Sequence, residues 1–318
     1  MSPIAYNSLI SRTSGQALIP EVVTNDLLGG LNNESAALTM FKHVQMSTAQ
    51  TRMPVISALP VAYFINGDTG LKQTTQVDWT NKYLNVEELA VIVPIPENVL
   101  DDIQFDTWGA VMPLVRDAIA RALDAAIFFG TNKPASWPTA IVTDAVSAGN
   151  TVTRGTNAAA LGGIAGDFSD LFATIEADGF DVNGVIANTA YKGRLRQARA
   201  TTGESLLTVG QTTAQAVYGV DLAYPMRGLW PAAASGAVEA IAGDFTQGIL
   251  GIRKDITWKM LTESVLQDNT GAIIYNLAQQ DSVALRVTFR CAFQIANTLN
   301  YDAPVEANRY PFGVLRQA

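Results

Sequence analysis

The sequence predicts an α+β protein, and three observations carry that expectation. The stretch "DTWGAVMPLVRDAIARALDAAIFFGT", residues 106–131, repeats its apolar side chains at spacings of three and four, the period of one helix face. Runs rich in Val, Ile, Tyr and Trp lie on both sides of it and read as strands. These patterns interleave without the strict strand–helix–strand period of a doubly wound sheet.

Composition bounds the rest. A chain of 318 residues that is 48% hydrophobic can bury a sizeable core in one or two domains. No apolar run reaches the roughly 18–20 residues of a membrane span, and the start "MSPIAYNSLISRTSGQALIP" lacks the basic-then-apolar order of a signal peptide. The chain therefore reads as soluble and unsecreted. A net charge of −8 argues against tight duplex binding, which needs a basic face to release counterions, although an acidic container around DNA is compatible with it.

Taken in order, residues 1–20 are polar, aperiodic and read as an arm. In "EVVTNDLLGGLNNESAALTMF" the side chains Val22, Val23, Leu27, Leu28 and Leu31 have helical spacing, broken by Gly29 and Gly30, so a short helix is expected there. His43 follows in "MFKHVQM". With no Ser or Cys motif beside it, a partly buried, hydrogen-bonded imidazole is the expected state. Next, "TRMPVISALPVAYFING" and "QVDWTNKYLNVEELAVIVPIP" read as two strands joined by the polar tip "DTGLKQTT". Gly67, Asp68, Thr69 and Gly70 suit a tight turn there. Such an arm has little core of its own and finds its partners on another subunit.

The long helix comes next. Asp106 and Thr107 are its cap candidates. Trp108, Val111, Met112, Val115, Ile119, Ala122, Leu123, Ala126 and Ile127 form one stripe, with Arg116, Asp117, Arg121 and Asp124 mostly off it. Gly130 stops the helix and Pro113 predicts a kink. A loop with Pro134 and Pro138 leads into "TDAVSAGNTVTRGTNAAALGGIAG", rich in Gly, Ala, Thr and Asn, where "LGGIAGDF" fits no phosphate-binding pattern and reads as a flexible connector. Then follow a helix in "GDFSDLFATIEADGF", a strand in "NGVIANT", a helix in "AYKGRLRQAR", and a loop and strand in "TTGESLLTVGQTTAQAVYGVDLAYP". The end, "AIAGDFTQGILGIRKDITWKMLTESV" and "QDSVALRVTFRCAFQIAN", is rich in strands.

The search for chemistry returns little. No phosphate loop, dinucleotide fingerprint, H-E-x-x-H, C-x-x-C or nucleophile elbow is present. One cysteine excludes an internal disulfide, and one histidine excludes a multi-histidine metal site. Cys291, in an apolar run, reads as a core thiol. Glu87 and Glu88 point to opposite faces of a strand and are poorly placed for acid–base work, while Asp101 and Asp102 start the turn before the long helix. Lys192, Arg194, Arg196 and Arg199 share one short helix. They read either as a contact to an acidic partner or packaged nucleic acid, or as a solvated helix face. No cofactor or metal is expected.

In their order and separations these segments resemble the major capsid protein of tailed phages, the Hong Kong 97 type. "ALIPEVV" follows a polar arm, and after it come "TRMPVIS", "GDTGLKQTTQVDW", "VIVPIPENVLDD", "AIARALDAAIFFGT", "GVIANTAYKGRLRQAR", "YGVDLAYP", "GDFTQGILGIR" and "DSVALRVTFRCAF". The resemblance implies a non-enzymatic protein that self-assembles as hexamers and pentamers into an icosahedral head shell around double-stranded DNA. It implies an N-terminal arm and short helix in 1–50, with 1–35 reaching beneath an adjacent subunit. An extended loop in 51–92 lies across a neighbour. A peripheral domain with a spine helix occupies 93–138 and an axial domain 139–250. The chain returns to the peripheral sheet in 251–296 and ends in a segment at 297–318. Asp68 and Lys72 at the loop tip become candidate inter-subunit contacts.

Some relatives join a loop Lys to an Asn on the neighbour, assisted by a Glu seven residues later. Lys72 matches the Lys, but Asp281 and Thr288 stand where the Asn and Glu belong, and seven residues after the nearby Asn276 comes Val283. No covalent cross-link is expected. Because the chain starts with Met almost at the arm, a separate scaffold protein, or none, is expected, beside a portal and with or without decoration proteins, with assembly in the host cytoplasm and residence in the virion. The rival readings are an encapsulin that packages enzymes and, remotely, an α+β enzyme of unknown class.

Overall fold

The computed structural model describes residues 35–65, 71–102, 107–158, 160, 162–197, 216–225, 229–230, 237–268 and 270–317. The chain enters through helix α1 (Ala36–Met40) and strand β1 (Lys42–Gln45), then runs out and back in β2 (Gln50–Ala58) and β3 (Asp78–Asn85). Strand β4 (Glu87–Pro96), helix α2 (Glu97–Asp102) and helix α3 (Thr107–Asp124) follow, and α3 ends in a π-helical turn, Ala125–Phe129. Then come α4 (Ile141–Ala148), β5 (Thr151–Thr153), α5 (Ile164–Ala177), β6 (Gly184–Ala187), α6 (Tyr191–Gln197), β7 (Ala216–Val217), β8 (Val220–Ala223) and β9 (Val238–Gly243). Two 14-residue strands, β10 (Gly248–Leu261) and β13 (Ser282–Ile295), flank a small hairpin, β11 (Val265–Gln267) and β12 (Ile273–Asn276). Strand β14 (Phe312–Arg316) closes the described chain.

Two sheets organise these elements. The first has the order β1-β10-β13-β4, and the second β5-β14-β9-β6-β8-β7. In β13 the side chains Val287, Phe289, Cys291, Phe293 and Ile295 alternate onto one face. That face meets Val115, Ile119, Leu123 and Ile127 of α3, the predicted stripe, in a shared core. The second sheet is covered on both sides. Ile186, Ile241 and Val314 face that same core together with Ile141 and Ala145 of α4. Their strand neighbours Val185, Ala187, Ala240, Ala242 and Leu315 turn the other way, toward Phe168, Leu171 and Ile175 of α5 and Tyr191 and Leu195 of α6. Period-two alternation with an apolar residue at every position therefore marks strands sandwiched between helical layers.

Close backbone approach fixes the entry of the chain. A Cβ on Gly248 would run into the ring of Phe41, so only glycine lets the end of α1 lie on β10. Gly130, at φ 74°, ends the spine as expected, donating its N–H to the carbonyls of Ala125 and Ala126.

The structure departs from several expectations. The run 76–96 is two strands that serve different sheets: β3 pairs with β2, whereas β4 pairs with β13. The switch falls at Val86, whose N–H donates to the Ala49 carbonyl at 3.0 Å. The connector read at "LGGIAGDF" gives way to α5 at Ile164, and no element is read from the sequence where the structure forms α4 and β5. The Ile, Val and Thr of α4 are weak helix formers, and α4 is held by burial of Ile141 and Ala145. Asp101 and Asp102 end helix α2 instead of opening a turn. Ala122, placed on the stripe of α3, is exposed, and Asp124, placed off it, is fully buried. His43 is exposed on β1, an edge strand, and is not the partly buried imidazole expected. The short helix read at Val22–Leu31 and the cap at Asp106 lie outside the described residues.

Candidate assembly surface

The hairpin β2–β3 leaves the body as a two-stranded ribbon that pairs with no other strand. Its nine-residue outgoing strand spans about 30 Å, at ~3.3 Å per residue. Near the root it is anchored: Leu84 packs with Met46, Ile249, Ala292 and Ala296. Lys82 Nζ donates to the Ile295 carbonyl at 3.2 Å and lies 2.9 Å from the Glu306 carboxylate. Gln294 Nε2 donates to the Tyr83 carbonyl at 3.1 Å, and the Tyr301 hydroxyl to the Pro60 carbonyl at 3.0 Å. Toward its end the ribbon is apolar and uncovered. Phe64 is fully exposed, Leu71 89% exposed and Trp79 67%, with Ile56, Val61 and Tyr63 beside them. A monomer gains nothing from exposing such a row, and patches of this kind mark surfaces that another molecule covers. Lys72 lies exposed within it, and Asp68 lies outside the described residues.

The β11–β12 hairpin shows a second, smaller patch, with Val265, Ile273, Ile274 and Tyr275 exposed at the far end of the long β10–β13 pair. Apolar side chains thus concentrate at the two projecting tips of the subunit.

The basic helix behaves differently. Arg194 of α6 donates to Glu239 Oε1, and Arg154 Nε lies 3.4 Å from Glu239 Oε2, so one buried carboxylate joins two guanidiniums across the second sheet. Lys192 stands 4.2 Å over the ring of Tyr224. The motif is therefore largely turned into the fold. Arg196 is exposed, and Arg199 lies outside the described residues.

Two constellations escaped the sequence reading. Buried Asp124 accepts hydrogen bonds from Ser35 Oγ (2.5 Å) and from the N–H groups of Ala36 (2.9 Å) and Ala37 (3.1 Å), tying the start of α1 to the spine helix 88 residues away. Burial raises its carboxyl above the usual 3.8, against the lowering effect of these bonds. Asp167 of α5, also buried, accepts from the N–H groups of Gly155 (2.7 Å) and Asn157 (2.9 Å) and holds the loop after β5. A carboxylate beside the apolar stripe was the only sequence signal for Asp124, and solvent-facing carboxylates give the same signal.

Cys291 is fully buried as expected, and burial pushes its thiol up to about 12. Glu88 pairs with Arg290 at 2.6 Å, while Glu87 accepts from the Ser136 hydroxyl. Thr288 shares a 2.9 Å contact with the Thr257 hydroxyl, and the Asp281 carbonyl accepts from the Glu97 N–H at 2.8 Å. Among the described residues no group of three or more His, Cys, Asp or Glu is placed to hold a metal ion, and no helix is long and apolar enough to cross a membrane.

A spine helix laid on a four-stranded sheet, a second domain-like layer and an uncovered ribbon define a shell-subunit fold of mixed helix and sheet. Comparison with known proteins agrees over nearly the whole chain. The profile of the phage capsid family matches residues 15–299. The major capsid protein of Staphylococcus phage 80alpha is 24% identical over 297 residues, covering 90% of this chain and 84% of that protein. A solved structure from Microbacterium phage Oxtober96 superposes with a TM-score of 0.85 at 37% identity, covering 98% of this chain and all of the other. One from Mycobacterium phage Cain gives 0.83 at 29% identity, covering 98% and 99%. The capsid of a native GTA particle shares the fold, with a TM-score of 0.67 at 18% identity, covering 99% and 100%. The chain belongs to the phage capsid family and is a major capsid protein of the tailed-phage type. That family is structural and not enzymatic, and the encapsulin and enzyme readings are not favoured.

Proposed function

We propose that this chain builds the icosahedral head shell of a tailed phage as hexamers and pentamers around double-stranded DNA. The observation that carries this reading is the apolar ribbon, anchored at Lys82, Gln294 and Tyr301 and uncovered beyond them. Each contact made by such a ribbon can be weak, because closed symmetry repeats it around every axis. Within the proposed subunit, residues 51–92 act as the extended loop, 93–138 with 251–296 as the peripheral domain, and 139–250 as the axial domain. The 297–318 segment supplies β14, which lies between β5 and β9 and ties the chain end into the axial sheet. Asp68 and Lys72 contact the neighbour noncovalently. The basic cluster Lys192, Arg194, Arg196 and Arg199 is the proposed contact to an acidic partner, or a solvated helix face, with Arg194 and Lys192 also engaged within the subunit. DNA is enclosed without sequence-specific contacts, and separate scaffold, portal and decoration proteins complete the head in the host cytoplasm.

Electron microscopy with mass determination on the purified chain tests this reading. Shells, tubes or rings of five and six are expected. A persistent monomer, even with the neighbouring genes' products added, overturns it. Denaturing gels of mature particles are expected to show single chains, and covalent ladders would contradict the noncovalent role of Lys72.

A further inference from the structure

We propose that two copies of the chain meet where the β11–β12 hairpin of one lies on a basic face of the first sheet of the other. The side of that sheet away from the core carries Arg286, Thr288 and Arg290 of β13, which alternate with the inward Val287, Phe289 and Cys291. Strand register sets Lys259 and Ile92 beside Arg286, Thr257 and Ala90 beside Thr288, and Lys254 and Glu88 beside Arg290. Four bases there face one acid, a net charge of +3 on a chain that totals −8. The ribbon root closes the other end of this face, where Leu84 packs with Ala292 and Gln294 donates to the Tyr83 carbonyl.

Such a face burdens the lone subunit. Lys254 stands opposite Arg290 and Lys259 opposite Arg286, and like charges at directly opposed positions of a sheet repel. Glu88 pairs with Arg290, but among the described residues no ion pair engages Lys254, Lys259 or Arg286. An acidic surface laid across these rows removes the repulsion.

The hairpin has that chemistry. From 260 to 285 the sequence contains Glu263, Asp268 and Asp281 and no Lys or Arg, a net charge of −3, equal in size and opposite in sign. All three acids are exposed. Asp268 also accepts from the N–H groups of Thr270 and Ala272, which fixes it at the turn. Two short strands that pair with no third are marginal in water, and these leave Val265, Ile273, Ile274 and Tyr275 uncovered. Ile92, 42% exposed beside Arg286, gives them an apolar point within the basic face. Duplex DNA matches the charge of that face but covers none of these apolar side chains. Hairpin and basic rows follow one another along the same β10–β13 pair, so they meet between copies and not within one. The contact rests on the shell reading only for bringing copies together, and it uses a different projection from the ribbon.

The test uses the full chain, half of it labelled with heavy nitrogen. Particles are treated with a carbodiimide, which joins a carboxylate to an amine in contact, and the linked peptides are read by mass spectrometry. Links from Glu263, Asp268 or Asp281 to Lys254 or Lys259 in mixed-isotope pairs are expected. Particles without them overturn this contact alone, whereas a chain that never associates overturns the shell reading along with it. Lys254→Glu combined with Lys259→Glu gives a second reading, because it turns both like-charged pairs into opposite ones. The denaturant midpoint of the subunit is expected to hold or rise, while the concentration at which association begins rises about tenfold. An unchanged threshold overturns the contact. If it is unchanged while retention of a duplex DNA oligonucleotide at low salt falls, the face belongs to nucleic acid instead.

Discussion

Asp124 is the residue on which the entry of the chain depends. Replacing it with alanine strips three donors of their acceptor inside the core and is expected to cost about 2–4 kcal/mol, read as a lower denaturant midpoint. Its pH behaviour has a definite sign. Because burial raises the folded carboxyl above its unfolded value near 3.8, the stability it contributes is complete below that value and is lost as pH rises through the folded one. The stability of the parent relative to Asp124→Asn is therefore expected to decline from pH 3.8 upward. A difference that grows over that range would contradict the assignment. Cys291 makes a simpler case. With its thiol pushed up to about 12, roughly one molecule in ten thousand is thiolate at pH 8, so maleimide is expected to label it only after unfolding.

At the scale of elements, the ribbon and the basic helix behave in opposite ways. Phe64→Ser and Leu71→Ser remove apolar side chains that touch nothing in the subunit, so each is expected to change stability by less than about 0.5 kcal/mol while impairing assembly by light scattering. Equal loss of stability and assembly would mean that the ribbon packs on its own body. Beside α6, Glu239→Gln on β9 leaves Arg154 and Arg194 without their shared carboxylate. Both arginines keep some solvent, so the expected cost is about 2 kcal/mol, below the range for fully buried pairs, measured by denaturant unfolding. Sequence reasoning found the ribbon strands because they follow local pattern, but it read the ribbon's end as polar, and the exposed apolar row and the β11–β12 patch came from the structure. It could not divide 76–96 into β3 and β4, since both halves have strand chemistry and only pairing with β2 or β13 separates them.

At the scale of the whole molecule, one core joins the spine helix, the first sheet, α4 and one face of the second sheet. The two layered units are thus expected to unfold together in a single transition by circular dichroism and tryptophan fluorescence, and two separated midpoints would show that they are independent. The core is continuous, and most of the exposed large apolar side chains sit on the two hairpins.

By itself the sequence determined the class of the fold, the spine stripe, the projecting ribbon, the core thiol and the resemblance to a capsid subunit. Each of these depends on spacing along the chain, which one-dimensional pattern records. Tertiary structure alone decided that Asp124 faces inward to hold α1, that Arg194 turns to Glu239, that His43 lies on an edge strand and that β14 enters the second sheet between β5 and β9. Those outcomes join residues tens to hundreds of positions apart. A charge on a helix has the same local signature whether it meets solvent or a buried partner, and only the fold supplies the partner.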